Sequence, residues 1–309
     1  MDKRFLFGSF VSTVFIGIMA AASQAVGSLE VIFPEAAALL LGSFIMPAMP
    51  WKVKHIVMTA EMTFCAAAGL VISRYMEAPV YFKMLLAAAV VFLLLPAAGN
   101  TLTPSVSACV LPVLVGARAW IYVVSVAVTA AVCDLGSYIL ERRGKDNAGE
   151  RSVSRQIMIP LWSRMFPVLA VILLLPGLSG QLYFTAPPLI VAFTALCGPG
   201  MAGRDSKNPP VKTILLFFLT SSIGYLCRLL CDNTALPLAV CVMLAALAAW
   251  TVITASGRYF PPAAALAVLP FILPATALWR YPLEVTAGIA IYYAGALIVD
   301  LWMRKNNKR

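Results

Sequence analysis

The chain has 309 residues, 61% of them hydrophobic and 12% charged, with a formal charge of +10 and a mean hydropathy of +0.91. A soluble domain carries about 25% charged residues, so a chain this apolar has no polar coat and takes the lipid bilayer as its solvent. The basic excess then belongs to cytoplasmic membrane loops, and no nucleic-acid partner is expected.

Apolar segments are predicted at 5–27, 31–49, 55–73, 82–98, 102–116 and 119–140, and again at 157–181, 184–201, 212–231, 234–255, 260–275 and 281–302. The first follows a basic start and ends in small residues near Ala25, which is also the shape of a signal peptide. A retained first helix is the reading that keeps the loop charges consistent. The long polar run Glu141 to Arg155 divides the two sets. The expected organisation is a first transmembrane repeat over 1–140, a cytoplasmic linker over 141–155 and a second repeat over 156–309.

Charge tests this layout. With the N-terminus in the cytoplasm, alternate loops leave only Arg74, Lys83, Arg118, Arg228 and Arg280 of the 23 Lys and Arg residues outside, as the positive-inside rule requires. The fold class expected is all-α: a polytopic bundle of about twelve helices in two tandem six-helix repeats, multi-pass in the cell membrane, with both termini cytoplasmic. The segment 102–116 is the weak joint. Its length as helix is about 22 Å against a hydrocarbon core of about 30 Å, and it carries Pro104 and Pro112. Spanning and re-entrant forms both stay open for it and for 260–275.

The repeat shows at one offset. Val53-Lys54-x-Ile56 falls on Val211-Lys212-x-Ile214, 158 residues on; Gly99 falls on Gly257, and Pro104…Val110-Leu111-Pro112 on Pro262…Val268-Leu269-Pro270. Such duplication is common in transporters, with the working site where the copies meet. A finer pattern lies beneath. Pro34, Pro104, Pro187 and Pro262 each open a short, small-residue helix that a second proline closes. Either each repeat is three helices followed by three inverted, or proline marks the ends of four unrelated helices.

These four helices are the site candidates. A helix that starts short of the interface directs its N-terminal dipole into a cavity, as discontinuous helices do around anions. The residues ahead suit this: Asn100, Thr101 and Thr103 before Pro104, Arg258 and Tyr259 before Pro262, and Thr185 before Pro187. The plain alternative is four tightly packed bundle helices that line nothing. Arg258 equally well serves the positive-inside rule in a short loop. Glu61 sits inside an apolar segment, where a carboxylate costs about 2.5–3.5 kcal/mol on insertion scales. It is either a proton-coupling group or a protonated side chain bonded to a neighbouring helix. Arg228 snorkels outward or pairs with Asp232 one turn on. Glu35, Asp134, Glu284 and Asp300 lie near segment ends and are expected at the interface. An aromatic belt is expected from Trp51, Trp120, Tyr122, Trp162, Trp279, Tyr281 and Trp302.

Seven cysteines and one histidine, His55, offer no ligand set. Cys227 and Cys231 share a helix face without third and fourth partners, so no metal or cofactor is expected. Walker A, G-x-S-x-G and His-rich motifs are missing from the sequence, and no enzyme activity is expected.

The runs GNTLTPSVSACVLPVLVGARAWIYVVSVAVTAAV from Gly99 and GRYFPPAAALAVLPFILPATALWRYPLEVTAGIAIYYAGALIV from Gly257 resemble the C-terminal part of the HPP family of integral membrane proteins. FPEAAALLLGSFIMP resembles that family's earlier small-residue helix. Leu102-Thr103-Pro104 and Phe260-Pro261-Pro262 stand where the family has His-Pro-Pro. The resemblance implies a fused pair of such domains and a small, nitrite-like anion as solute. The function expected is therefore a transporter or facilitator for a small solute, an anion by preference. The alternative is a non-transporting scaffold or partner subunit, or an embedded enzyme acting on lipid. Expected partners are the lipid bilayer, the solute or ion, and a second copy or partner subunit.

Overall fold

The computed structural model describes residues 3–47, 49–142, 153–179, 183–198 and 210–306. Among these residues the fold is all-helical, without strands, and twelve helices longer than a single turn carry it. The first six are α1 (Lys3–Val26), α2 (Glu35–Leu40, continued by a π-helical turn, Leu41–Ile45), α3 (Val57–Tyr75), α4 (Val80–Ala98), α5 (Pro104–Val115) and α6 (Ile121–Arg142). The second six are α7 (Arg155–Leu174), α8 (Pro187–Cys197), α9 (Pro210–Asn233), α10 (Leu238–Ala255), α11 (Pro261–Val268) and α12 (Tyr281–Asn306). Most of the predicted 141–155 linker lies outside the described residues, as do Arg204 and Lys207.

Seven helices are long and apolar enough to cross a membrane: α1, α3, α4, α6, α9, α10 and α12. By length and composition, these seven among the described residues are fewer than the twelve apolar segments predicted from the sequence. The four proline-opened helices are too short, α5 with 12 residues reaching only about 18 Å of the roughly 30 Å needed. The apolar part of α7 is likewise short, Met158–Leu174. The membrane reading is carried by the outer surface, where Phe10 is 68%, Leu93 76% and Leu301 67% exposed. Apolar side chains this exposed, on helix after helix, suit lipid rather than water.

The short helices form the middle of the bundle. Every residue of α11 is buried, as are residues 104–113 of α5. Small residues let the backbones close in. A Cβ on Gly69 of α3 would overlap the Cys109 carbonyl oxygen on α5, and one on Gly224 of α9 would overlap that of Ala267 on α11. Proline inside or just beyond such a helix leaves a carbonyl four residues back without its helical donor. Pro112 frees the Ala108 carbonyl, and the Tyr122 hydroxyl donates to it at 2.7 Å. Pro270 stands in the same relation to the Leu266 carbonyl, and the Tyr281 hydroxyl donates to it at 2.7 Å. This duty explains why Tyr122 and Tyr281, expected in an interfacial belt, are 1% and 0% exposed. Trp51 and Trp162 are buried too, whereas Trp120, Trp279 and Trp302 are exposed as a belt requires.

The halves interlock through matched pairs. α1 packs on α10 and α7 on α4; α2 packs on α11 and α8 on α5. Trp250 on α10 donates its indole N–H to the Ala37 carbonyl of α2 at 3.0 Å. Phe92 on α4, 158 residues earlier, meets Trp162 of α7 edge-on at 4.4 Å between ring centroids.

Candidate functional site: a cavity between the halves

Two loops aim the starts of α5 and α11 at the same space. Gly99, at φ +65°, lets the chain leave α4 in a left-handed turn that a side chain would strain. Asn100 then fixes the loop. Its side-chain oxygen accepts from the Leu102 amide at 3.0 Å, and its Nδ2 donates to Glu61 Oε2 at 2.5 Å. Ser105 donates to Glu61 Oε1 at 3.0 Å. Thr101 pairs with Lys52 in both directions: the Thr101 amide donates to the Lys52 carbonyl at 3.0 Å, and its Oγ1 accepts from the Lys52 amide at 2.8 Å. In the second half Gly257 repeats the turn at φ +65°. Arg258, at the place of Asn100, donates to Thr213 Oγ1 on α9 at 2.5 Å. Each loop is thus tied to the third helix of its own half.

The result is a cavity of about 570 Å³ between the halves. Thr101, Thr103 and Pro104 line it from the first half, and Tyr259, Pro261 and Pro262 from the second. Those are the same three positions under the 158-residue offset. α7 adds Met158, Trp162 and Met165, and α8 adds Val191, Thr194 and Ala195. Lys52 stands exposed among the lining residues, while Glu35, the first residue of α2, is 1% exposed.

Three of the candidate residues, Thr101, Thr103 and Tyr259, therefore meet in the cavity. Asn100 and Glu61 lie behind it, bonded to each other. Arg258 is directed to Thr213 and is not in the lining. Thr185 is fully buried ahead of α8, whose other end faces the cavity. The N-terminal amides of α5 and α11 are already used. Pro104, Pro261 and Pro262 have none, and the amides of Ser105, Val106 and Ala263 donate to the carbonyls of Leu102, Thr103 and Phe260. Only the helix dipoles remain for a ligand.

Glu35 is buried, which its place in the sequence did not announce. Its neighbour Pro34 marks it as the head of a short helix, but a position near a segment end reads as interfacial until α11 is known to cover it. Asp134 is also buried. Its carboxylate caps the start of α3, accepting from the Ile56 amide at 2.6 Å and meeting His55 Nδ1 at 2.6 Å, with Glu141 3.1 Å from Nε2. Glu284 is also buried and accepts from the Tyr183 amide at 3.1 Å. Arg228 does pair with Asp232, at 2.9 Å, and its Nη1 also donates to the Phe271 carbonyl at 2.8 Å. Among the described residues no three His, Cys, Asp or Glu side chains converge as a metal site would require.

No family model matches the chain, and no similar protein is found among curated proteins or solved structures.

Proposed function

We propose that the chain is an integral membrane transporter or facilitator for a small solute and that the cavity between the halves is its site. The observation that carries this is the lining itself: equivalent positions of the two halves converge at the ends of short helices, inside a bundle with an apolar outer surface. That is the arrangement expected of alternating access around a central site. The proposal includes two tandem six-helix repeats, each divisible into three helices and three inverted, lying in the cell membrane. The paired Tyr–Pro bonds, the paired glycine approaches and the matched contacts between halves support the duplication. The likeness to the HPP family fits it and stays part of the proposal.

The anion preference has less behind it. The N-terminal amides are spent on local carbonyls, and Arg258 reaches Thr213. We carry forward a small solute without that preference. The test is flux into vesicles reconstituted with the full chain, using nitrite, nitrate, formate, a protonated amine and a neutral solute. Uptake of any of these above protein-free vesicles supports the reading. No flux for the whole panel would favour a scaffold or partner subunit.

A further inference from the structure

Apart from the exposed Lys52, the described cavity lining contains one ionisable side chain with a full charge to offer, and it is an acid. Among the described residues neither carboxylate oxygen of Glu35 has a hydrogen-bond partner of normal geometry. Only the Ser107 hydroxyl of α5 bears on it among the described residues, and no basic side chain does. Tyr122 and Tyr281 lie within its electrostatic reach, but their hydroxyls are committed to the Ala108 and Leu266 carbonyls. An ionised carboxylate so enclosed costs several kcal/mol unless a proton or a cation meets it.

The surrounding wall suits a cation with an apolar body. Trp51, Trp162, Tyr259 and Phe260 line the cavity with Met158 and Met165. Aromatic faces attract a cation, and methionine adapts to varied apolar shapes. A volume of about 570 Å³ falls in the range of roughly 300–1,000 Å³ that holds drug-sized molecules. An anion would find spent amides, one exposed lysine and an unpaired carboxylate.

We propose that the cavity binds a lipophilic monocation, a quaternary onium or a protonated amine on an apolar body, with Glu35 as its counter-charge. The inference rests on the cavity being the ligand site and specifies what that site takes.

Calorimetric titration of the full chain in detergent with tetraphenylphosphonium and tetraphenylborate tests it, because the two ions share size and shape and differ in sign. The expected result is saturable phosphonium binding, at least tenfold weaker borate binding, and a tenfold or greater loss of phosphonium affinity in Glu35→Gln. Equal or tighter borate binding overturns the proposal, as does a Glu35→Gln variant within twofold of the parent. If that variant does not fold, the comparison of the two ions on the unaltered chain decides alone. Charge-selective binding without flux in vesicles would uphold this inference and sink the transport reading. Flux of a panel solute by a chain that does not discriminate the two ions would do the reverse.

Discussion

Glu61 shows how a buried carboxylate can be anchored on two sides. Asn100 and Ser105 both donate to it, and Asn100 in turn holds the Leu102 amide, so the group fixes the loop that carries Thr101 and Thr103 to the cavity. Glu61→Ala should cost about 1–3 kcal/mol, the penalty for stranding buried donors, measured as a shift in denaturant unfolding in detergent. Glu61→Gln keeps an acceptor and similar shape and should cost less than about 1 kcal/mol. A proton-coupling role, one of the two readings of Glu61 in the sequence, predicts further that the Gln variant transports without pH dependence. An unchanged pH profile would leave the residue with its clamping role alone. Glu61 stood out in the sequence because it is a lone charge in an apolar segment, with no basic residue within a helical turn. Glu35 did not, because its enclosure comes from α11, more than 200 residues away.

The short helices are legible as elements and less so as crossings. Proline at the start and proline near the end announced α2, α5, α8 and α11, and the structure places a helix at each. Their length left spanning and re-entrant forms open for 102–116 and 260–275, and only the packing shows that α5 and α11 are enclosed by the longer helices. In α5 and α11 the cost of the closing proline is also visible only in three dimensions, as a tyrosine from the next helix taking the orphaned carbonyl. Tyr122→Phe and Tyr281→Phe should each destabilise the protein by about 1–3 kcal/mol, because each strands a buried carbonyl. The two effects should add, since the bonds lie in different halves. Denaturant unfolding of both single variants and the double variant checks this. A cost confined to one half would contradict the equivalence of the two Tyr–Pro pairs.

At the scale of the whole molecule, the offset of 158 residues sets Thr101 against Tyr259 and Pro104 against Pro262, and all four line the cavity. The remaining walls could not be read this way. α7 and α8 reach the cavity by packing on α4 and α5 of the other half, an exchange that leaves no mark in local sequence. The central claim is that solute passes through this space. Ala195 lines it and is partly exposed, so Ala195→Cys offers a handle, with the partly exposed Cys227 and Cys231 replaced by serine. The decisive measurement is vesicle flux before and after complete reaction of Cys at position 195 with a bulky maleimide. The account predicts that flux falls to the level of protein-free vesicles and that the transported solute slows the reaction. Unchanged flux after complete modification would contradict it.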